Sequence, residues 1–153
     1  MRLSRAEIAE LIPHAGAMCL LDEVLDWDAS RIRCMSRSHR DAANPLRVNG
    51  YLPALCGVEY AAQAMAVHGG LAGAARSKPR AGYLASLRDV ACRRSRLDDL
   101  DGDLVVEAEL EASDGSRVIY SFTLRVGAVE VLSGRAAVVL DATATPMNAN
   151  ERR

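Results

Sequence analysis

The chain has 153 residues, half of them hydrophobic and a quarter charged; this is the make-up of one globular domain, not of two undersized cores or a disordered polymer. Nineteen basic and twenty acidic side chains leave a formal charge of −1, so no general field draws the molecule to nucleic acid or an anionic membrane. Arg2 and Arg5 open the chain, but Glu7 and Glu10 break any apolar core of a signal peptide, and no apolar run reaches the length of a membrane span. A cytoplasmic protein without a membrane span is expected. Cys19, Cys34, Cys56 and Cys92 are widely spaced, form no C-x-x-C pair and share no ligand spacing with His14, His39 or His68. Neither a metal nor a cofactor is expected.

Ser4-Arg5-Ala6-Glu7 has the capping-box form, and Ile8, Leu11 and Ile12 continue at helical spacing until Pro13, which predicts a short amphipathic lid helix. Residues 19–27 predict a largely buried strand and 31–38 a second, with Ile32 and Cys34 alternating with charged residues; Asp28-Ala29-Ser30 joins them as a hairpin. From 39 to 53, two prolines, two asparagines and a glycine fall without periodicity, a long loop of the kind that carries function. Residues 54–75 are rich in alanine and poor in β-branched residues, with Glu59, Gln63 and His68 as the strong polar groups; this predicts a helix buried nearly all round. Strands are predicted over 82–94, 104–111, 117–126 and 129–140, with turns at Asp101-Gly102, Asp114-Gly115 and Gly127. A hairpin, one buried helix and a long meander fit an α+β domain over residues 1–141, a curved antiparallel sheet wrapped around one long central helix. The small polar tail, 142–153, is expected to be disordered.

Several strings stand in the order found in 3-hydroxyacyl-acyl-carrier-protein dehydratases of the FabZ and FabA type, which have the hotdog fold. Ile12-Pro13-His14, followed by Met18-Cys19-Leu20-Leu21-Asp22-Glu23-Val24, resembles that family's opening strand, and Gly50-Tyr51-Leu52-Pro53 resembles its Gly-His-Phe-Pro loop. Glu59-Tyr60-Ala61-Ala62-Gln63-Ala64 is similar to the acidic start of its central helix. Residues 83–90 with Arg93-Arg94 resemble its third strand, and Gly102-Asp103 the turn after it. Within this group, Pro45-Leu46-Arg47, Leu52-Pro53-Ala54 and residues 59–68 are similar to the ApeP-like dehydratase-related proteins of aryl polyene biosynthesis. The resemblance implies a hotdog domain acting on acyl thioesters held by an acyl carrier protein, as a homodimer or a hetero-oligomer with another hotdog dehydratase.

Dehydrating a 3-hydroxyacyl thioester takes a base for the C2 proton, an acid for the departing hydroxyl and donors to the thioester carbonyl. The family supplies a loop histidine, a helix carboxylate and backbone amides. Tyr51 stands at the histidine's position here, and a phenol with an ordinary pKa near 10 is a poor base at neutral pH, so the dyad is atypical or incomplete. Tyr51 remains a hydrogen-bond donor for the substrate hydroxyl. Glu59 is the candidate acid or base, with burial expected to raise its pKa; the alternative is that it complements the helix dipole. Alignment on Gln63 puts the family's acid at Glu59, and alignment on Gly57-Val58 puts it at Ala62, one turn along the same face.

His39 is the candidate replacement base, against a surface histidine bonded to Asp41. Gly57, Gln63 and Pro53 are the candidate substrate-binding residues. Gly57 either lets the thioester reach free amides or is a plain N-cap, and Gln63 either holds Glu59 or is a satisfied core amide. Arg93, Arg94 and Arg96, extended by Lys78 and Arg80, are the expected carrier-protein patch, against a solvated strand end. Three functions are compatible with these residues: a dehydratase, a thioesterase in which Glu59 activates water, or a non-catalytic partner of a complete dehydratase.

Overall fold

Ser4 starts the first helix as its sequence requires: its hydroxyl accepts from the Glu7 N–H at 3.3 Å and the Glu7 carboxylate accepts from the Ser4 N–H at 3.0 Å. The computed structural model describes residues 2–14, 16–72 and 82–140. Strand β1 (Leu3–Ser4) leads into α1 (Arg5–Ala9), which ends in a turn with the Leu11 N–H on the Ile8 carbonyl at 2.9 Å. Ile8, Leu11 and Ile12 are buried, so the amphipathic spacing serves the core although the helix is short.

β2 (Glu23–Trp27) and β3 (Arg31–Ser36) form the expected hairpin. Asp28 Oδ1 closes it by accepting from the N–H groups of Ser30 (2.8 Å) and Arg31 (3.0 Å). The first of these strands begins four residues later than its apolar run predicts, and the reason lies in competing hydrogen bonds. The Leu20 N–H donates to Gln63 Oε1 at 2.9 Å, and the Leu20 carbonyl accepts from the Ser36 and Ser38 hydroxyls at 2.6 and 2.9 Å. Leu20 is therefore tied to the helix, and before β2 only the Asp22 N–H, on the Met35 carbonyl at 2.9 Å, continues the pairing with β3.

The central helix α2 (Gly57–Ala72) follows a 3₁₀ turn over Ala54–Cys56. Then come β4 (Gly82–Cys92), β5 (Leu104–Ser113), β6 (Arg117–Val126) and β7 (Val129–Leu140). All pairings are antiparallel, in the order β1-β2-β3-β5-β6-β7-β4. The meander holds for β5, β6 and β7, but β4 pairs with β7 instead of β5. Residues 93–103 are a link and not a tight turn: Leu97 is fully buried and its N–H donates to the Leu52 carbonyl at 2.8 Å. β4 is thereby a sheet edge. Its two register breaks, one of them around Asp89 at φ +54°, bend it as β-bulges do.

α2 lies on β3, β5 and β6, with Tyr60, Ala61, Ala64, Val67 and Leu71 in the core. Burial nearly all round does not hold. Glu59 and Gly69 are exposed, Leu55 just before the helix is 57% exposed, and Val58, Ala62 and Ala66 are only partly covered. These positions recur every three or four residues and form one stripe along the helix. At the far end His68 is buried between two partners. Its Nε2 lies 2.8 Å from the Asp28 carbonyl, which can only accept, so the proton is on Nε2 and Nδ1 accepts from the Tyr120 hydroxyl at 2.7 Å. Among the described residues no helix is long and apolar enough to cross a membrane. The expected helix extension over 73–75, Lys78, Arg80 and the tail 142–153 lie outside the described residues.

Two glycines of α2 give opposite predictions. A Cβ on Gly57 meets Leu132 Cδ2 at 2.7 Å and Leu124 Cδ2 at 2.8 Å, whereas one on Gly69 meets nothing within 4 Å. Gly57→Ala should lower stability by roughly 1–3 kcal/mol through overpacking. Gly69→Ala should raise it by roughly 0.5–1 kcal/mol by restricting the unfolded chain. Urea midpoints of the two variants check both signs.

Candidate functional site

Tyr51 ends a two-residue hairpin. The Val48 N–H donates to the Tyr51 carbonyl at 2.8 Å and the Tyr51 N–H donates back to Val48 at 3.1 Å. Asn49 and Gly50 between them have φ +49° and +85°, the left-handed pair that a type I′ turn needs and that an Asn-Gly sequence supplies. The long loop is therefore built, not irregular, at the point where the family's histidine is expected. The Asn49-Gly50 dipeptide is the sequence signal for this turn, and the loop assignment over 39–53 passes over it.

A carboxylate that the sequence motifs do not single out holds this turn in place. The side chain of Asp98 is 6% exposed. It accepts from the Leu52 N–H at 2.8 Å, from Arg96 Nε at 3.0 Å and from Arg96 Nη2, and Arg47 Nη1 stands 3.7 Å away. Arg47 in turn donates to the carbonyls of Asp41 (2.8 Å), Gly50 (2.9 Å) and His39 (3.4 Å). Arg96 lies over the Tyr51 ring, 4.9 Å from its centroid, within cation–π range. The hydrogen bonds from Arg96, joined by that from Leu52, hold the Asp98 carboxyl far below the usual carboxylate range.

The other wall comes from polar residues of α2. Asn44 Nδ2 donates to the Tyr60 hydroxyl (2.9 Å) and the Ser38 carbonyl (2.8 Å), while the Tyr60 and Ser38 hydroxyls are 2.8 Å apart. Gln63 uses both ends of its amide on backbone, accepting from Leu20 N–H and donating to the Met18 carbonyl at 2.5 Å. It is a satisfied core amide. The Gly57 N–H donates to the Ala54 and Leu55 carbonyls, and its Cα faces leucine side chains. The structure therefore gives Gly57 a packing role; it offers neither a free amide nor an open approach. Pro53 is half-buried, bridged to Arg96, and its carbonyl accepts from the Cys56 N–H at 3.0 Å.

His39 is fully buried, with Nε2 3.2 Å from the Leu100 carbonyl and no partner on Nδ1 among the described residues. Burial pushes its pKa below the ordinary imidazole value. It is not a surface residue bonded to Asp41. Glu59 is exposed, beside Cys56, whose thiol is pushed up by burial and then by the Glu59 charge. The burial expected to raise the Glu59 pKa is not provided by this chain. Val48, Tyr51 and Leu55, in the segment that leads into α2, are exposed. The arginine trio divides: Arg93 pairs with Glu130 at 2.9 Å, Arg96 belongs to the Asp98 clamp, and among the described residues Arg94 has no ion pair.

The model of the ApeP-like family, described as ApeP dehydratase, matches residues 6–148. The chain belongs to the ApeP-like family. Similar solved structures agree with the hotdog architecture. One from the dehydratase heterocomplex ApeI:P of Xenorhabdus doucetiae is 22% identical, with 90% of this chain and 93% of that chain covered at a TM-score of 0.79. A hypothetical thioesterase with coenzyme A from Streptococcus pneumoniae is 8% identical, with 77% and 84% covered at a TM-score of 0.58. A thioesterase from Pseudomonas aeruginosa is 13% identical, with 77% and 81% covered at a TM-score of 0.55. A search of curated protein sequences gives no significant match.

In this ApeP-like chain the clamp makes an acid-stability prediction. The Asp98 pKa is lower in the folded state than in the unfolded one, so its contribution is complete above the ordinary carboxylate pKa, about 4, and is lost as pH falls through the folded value. Asp98→Asn should lower the thermal midpoint at pH 7 and narrow its gap to the unmodified protein as pH falls below about 4. A gap that stays constant from pH 7 to pH 2 would mean that the charge on Asp98 does not stabilise the loop.

Proposed function

We propose that this chain is a dehydratase subunit for 3-hydroxyacyl thioesters carried on an acyl carrier protein, and that a second hotdog chain, one retaining the loop histidine, completes its site. One observation carries the proposal: Glu59, the only carboxylate of α2, lies exposed in the uncovered, otherwise apolar stripe of Leu55, Val58 and Ala62. A carboxylate serving as general acid on an apolar thioester needs a dry surrounding, and a partner surface provides it. The β4 edge, with Leu84, Leu87 and Val90 exposed, offers unpaired backbone groups for the same partner. The similarity to a chain of the ApeI:P dehydratase heterocomplex supports pairing with a different hotdog chain over self-pairing.

In the reaction, the partner's histidine removes the C2 proton and Glu59 protonates the leaving hydroxyl, so the C3–O bond breaks, water departs and an enoyl thioester remains. Tyr51, fixed by its turn and by Arg96, donates a hydrogen bond to the substrate. The carrier protein's acidic surface meets the end of β4, where Arg94 is available.

Enoyl formation by the mixed pair should fall about 100- to 10,000-fold in Glu59→Gln, with little change in thermal midpoint because the side chain is exposed. Release of free thiol in place of enoyl product identifies a thioesterase, and full activity in Glu59→Gln removes Glu59 from the site. Tyr51→His should give the chain measurable dehydration without the partner's histidine, read as enoyl absorbance; no gain means that the turn does not aim position 51 at C2.

A further inference from the structure

The outer face of the β4-β7-β6 half of the sheet carries a groove of about 320 Å³, lined by Ser86, Arg88, Arg117, Ile119, Arg135 and Ala137. Arg88 and Arg135 stand directly opposite each other in the β4–β7 ladder, where like charges destabilise a sheet. Arg135 is pulled to the other side, pairing with Glu111 at 3.1 Å. Neither Arg88 nor Arg117 has an ion-pair partner among the described residues. The floor is small or apolar, since Ala137 lies opposite both Ser86 and Ile119, and Ser86 adds a hydroxyl. Three guanidinium groups surround a concavity of small-molecule size against two acidic neighbours, Glu111 on Arg135 and Asp114, whose carboxyl feels the Arg117 charge, so the site keeps an excess of positive charge.

We propose that this groove binds the diphosphate or paired phosphoryl groups of a small molecule. Guanidinium groups match phosphoryl oxygens in two-point contacts. Arg88 and Arg135 hold one phosphoryl group, which removes their mutual repulsion. Arg117 stands four positions further along the ladder, opposite Val139, and holds the second. A row of carboxylates on a protein helix needs a flat, open strip, whereas this site is a pit between side chains of three strands. Because the groove opens on the sheet face, pairing along the β4 edge leaves it accessible, and phosphoryl binding there does not require dehydratase activity.

The probe is sodium pyrophosphate. Its ³¹P resonance should broaden when the unmodified protein is added, at an ionic strength held constant with sodium chloride, and the thermal midpoint should rise above that in sodium chloride or sulfate of equal ionic strength. In Arg88→Gln/Arg117→Gln binding should weaken about tenfold or more, while Arg40→Gln, an exposed arginine elsewhere, keeps it. Without pyrophosphate, Arg88→Gln alone should be as stable as the unmodified chain or more so, which shows that the variant folds. Equal midpoints in pyrophosphate and sulfate, or undiminished ³¹P broadening with the double variant, overturn the site.

Discussion

A helix that is apolar nearly all round needs more cover than one curved sheet can give. α2 meets β3, β5 and β6 on one side, and the described residues supply no second layer for the opposite side. The residual stripe is the consequence of this geometry, not of a weak sequence pattern, and it carries Glu59. An apolar face of this kind marks an interaction surface. β4 likewise ends as an exposed edge: once β7 has paired with it, the described residues hold no further strand to add there.

The polar groups of α2 hold three of the connecting segments. Tyr60, Gln63 and His68 are buried, and each spends its hydrogen bonds on a connecting segment. Gln63 holds residues 18–20, Tyr60 holds Asn44 and Ser38, and His68 holds the β2–β3 turn together with Tyr120. Burial pushes the Tyr120 phenol up to about 12, so its hydroxyl keeps the proton through the neutral range. Asp98 does the same work from the β4–β5 link, where its carboxylate collects Leu52, Arg96 and Arg47. Tyr51 is consequently a preorganised residue although it is 42% exposed.

The fold was legible in the sequence because its signals are local. Alternation gave β6 and β7 their limits, the capping box gave the start of α1, and alanine richness gave α2. What escaped were features set by distant partners. The pairing of β4 with β7 depends on how the 93–103 link is anchored at Leu97, and the late start of β2 depends on a glutamine more than forty residues away. In the candidate site, the family's motif positions point to Tyr51 and Glu59, and the structure shows both exposed. They did not reveal that Gln63 and Gly57 are used in packing, that His39 is enclosed, or that Arg96 belongs to Asp98, since each of those depends on three-dimensional neighbours. Asp98 itself sits in an ordinary acidic run, Asp98-Asp99 with Asp101, and nothing in that spacing separates it from its neighbours.

In the function proposed above, the Tyr51 turn and the uncovered Glu59 stripe are half of a site that a second hotdog chain completes. The direct test is complementation. A partner hotdog dehydratase whose own helix carboxylate has been changed to an amide supplies a histidine but no acid, and this chain supplies Glu59. Enoyl thioester formation should be absent with either protein alone, should appear on titrating this chain into the partner, and should saturate at equimolar ratio. No enoyl product at any ratio, despite a stable complex by size-exclusion chromatography, would contradict the account.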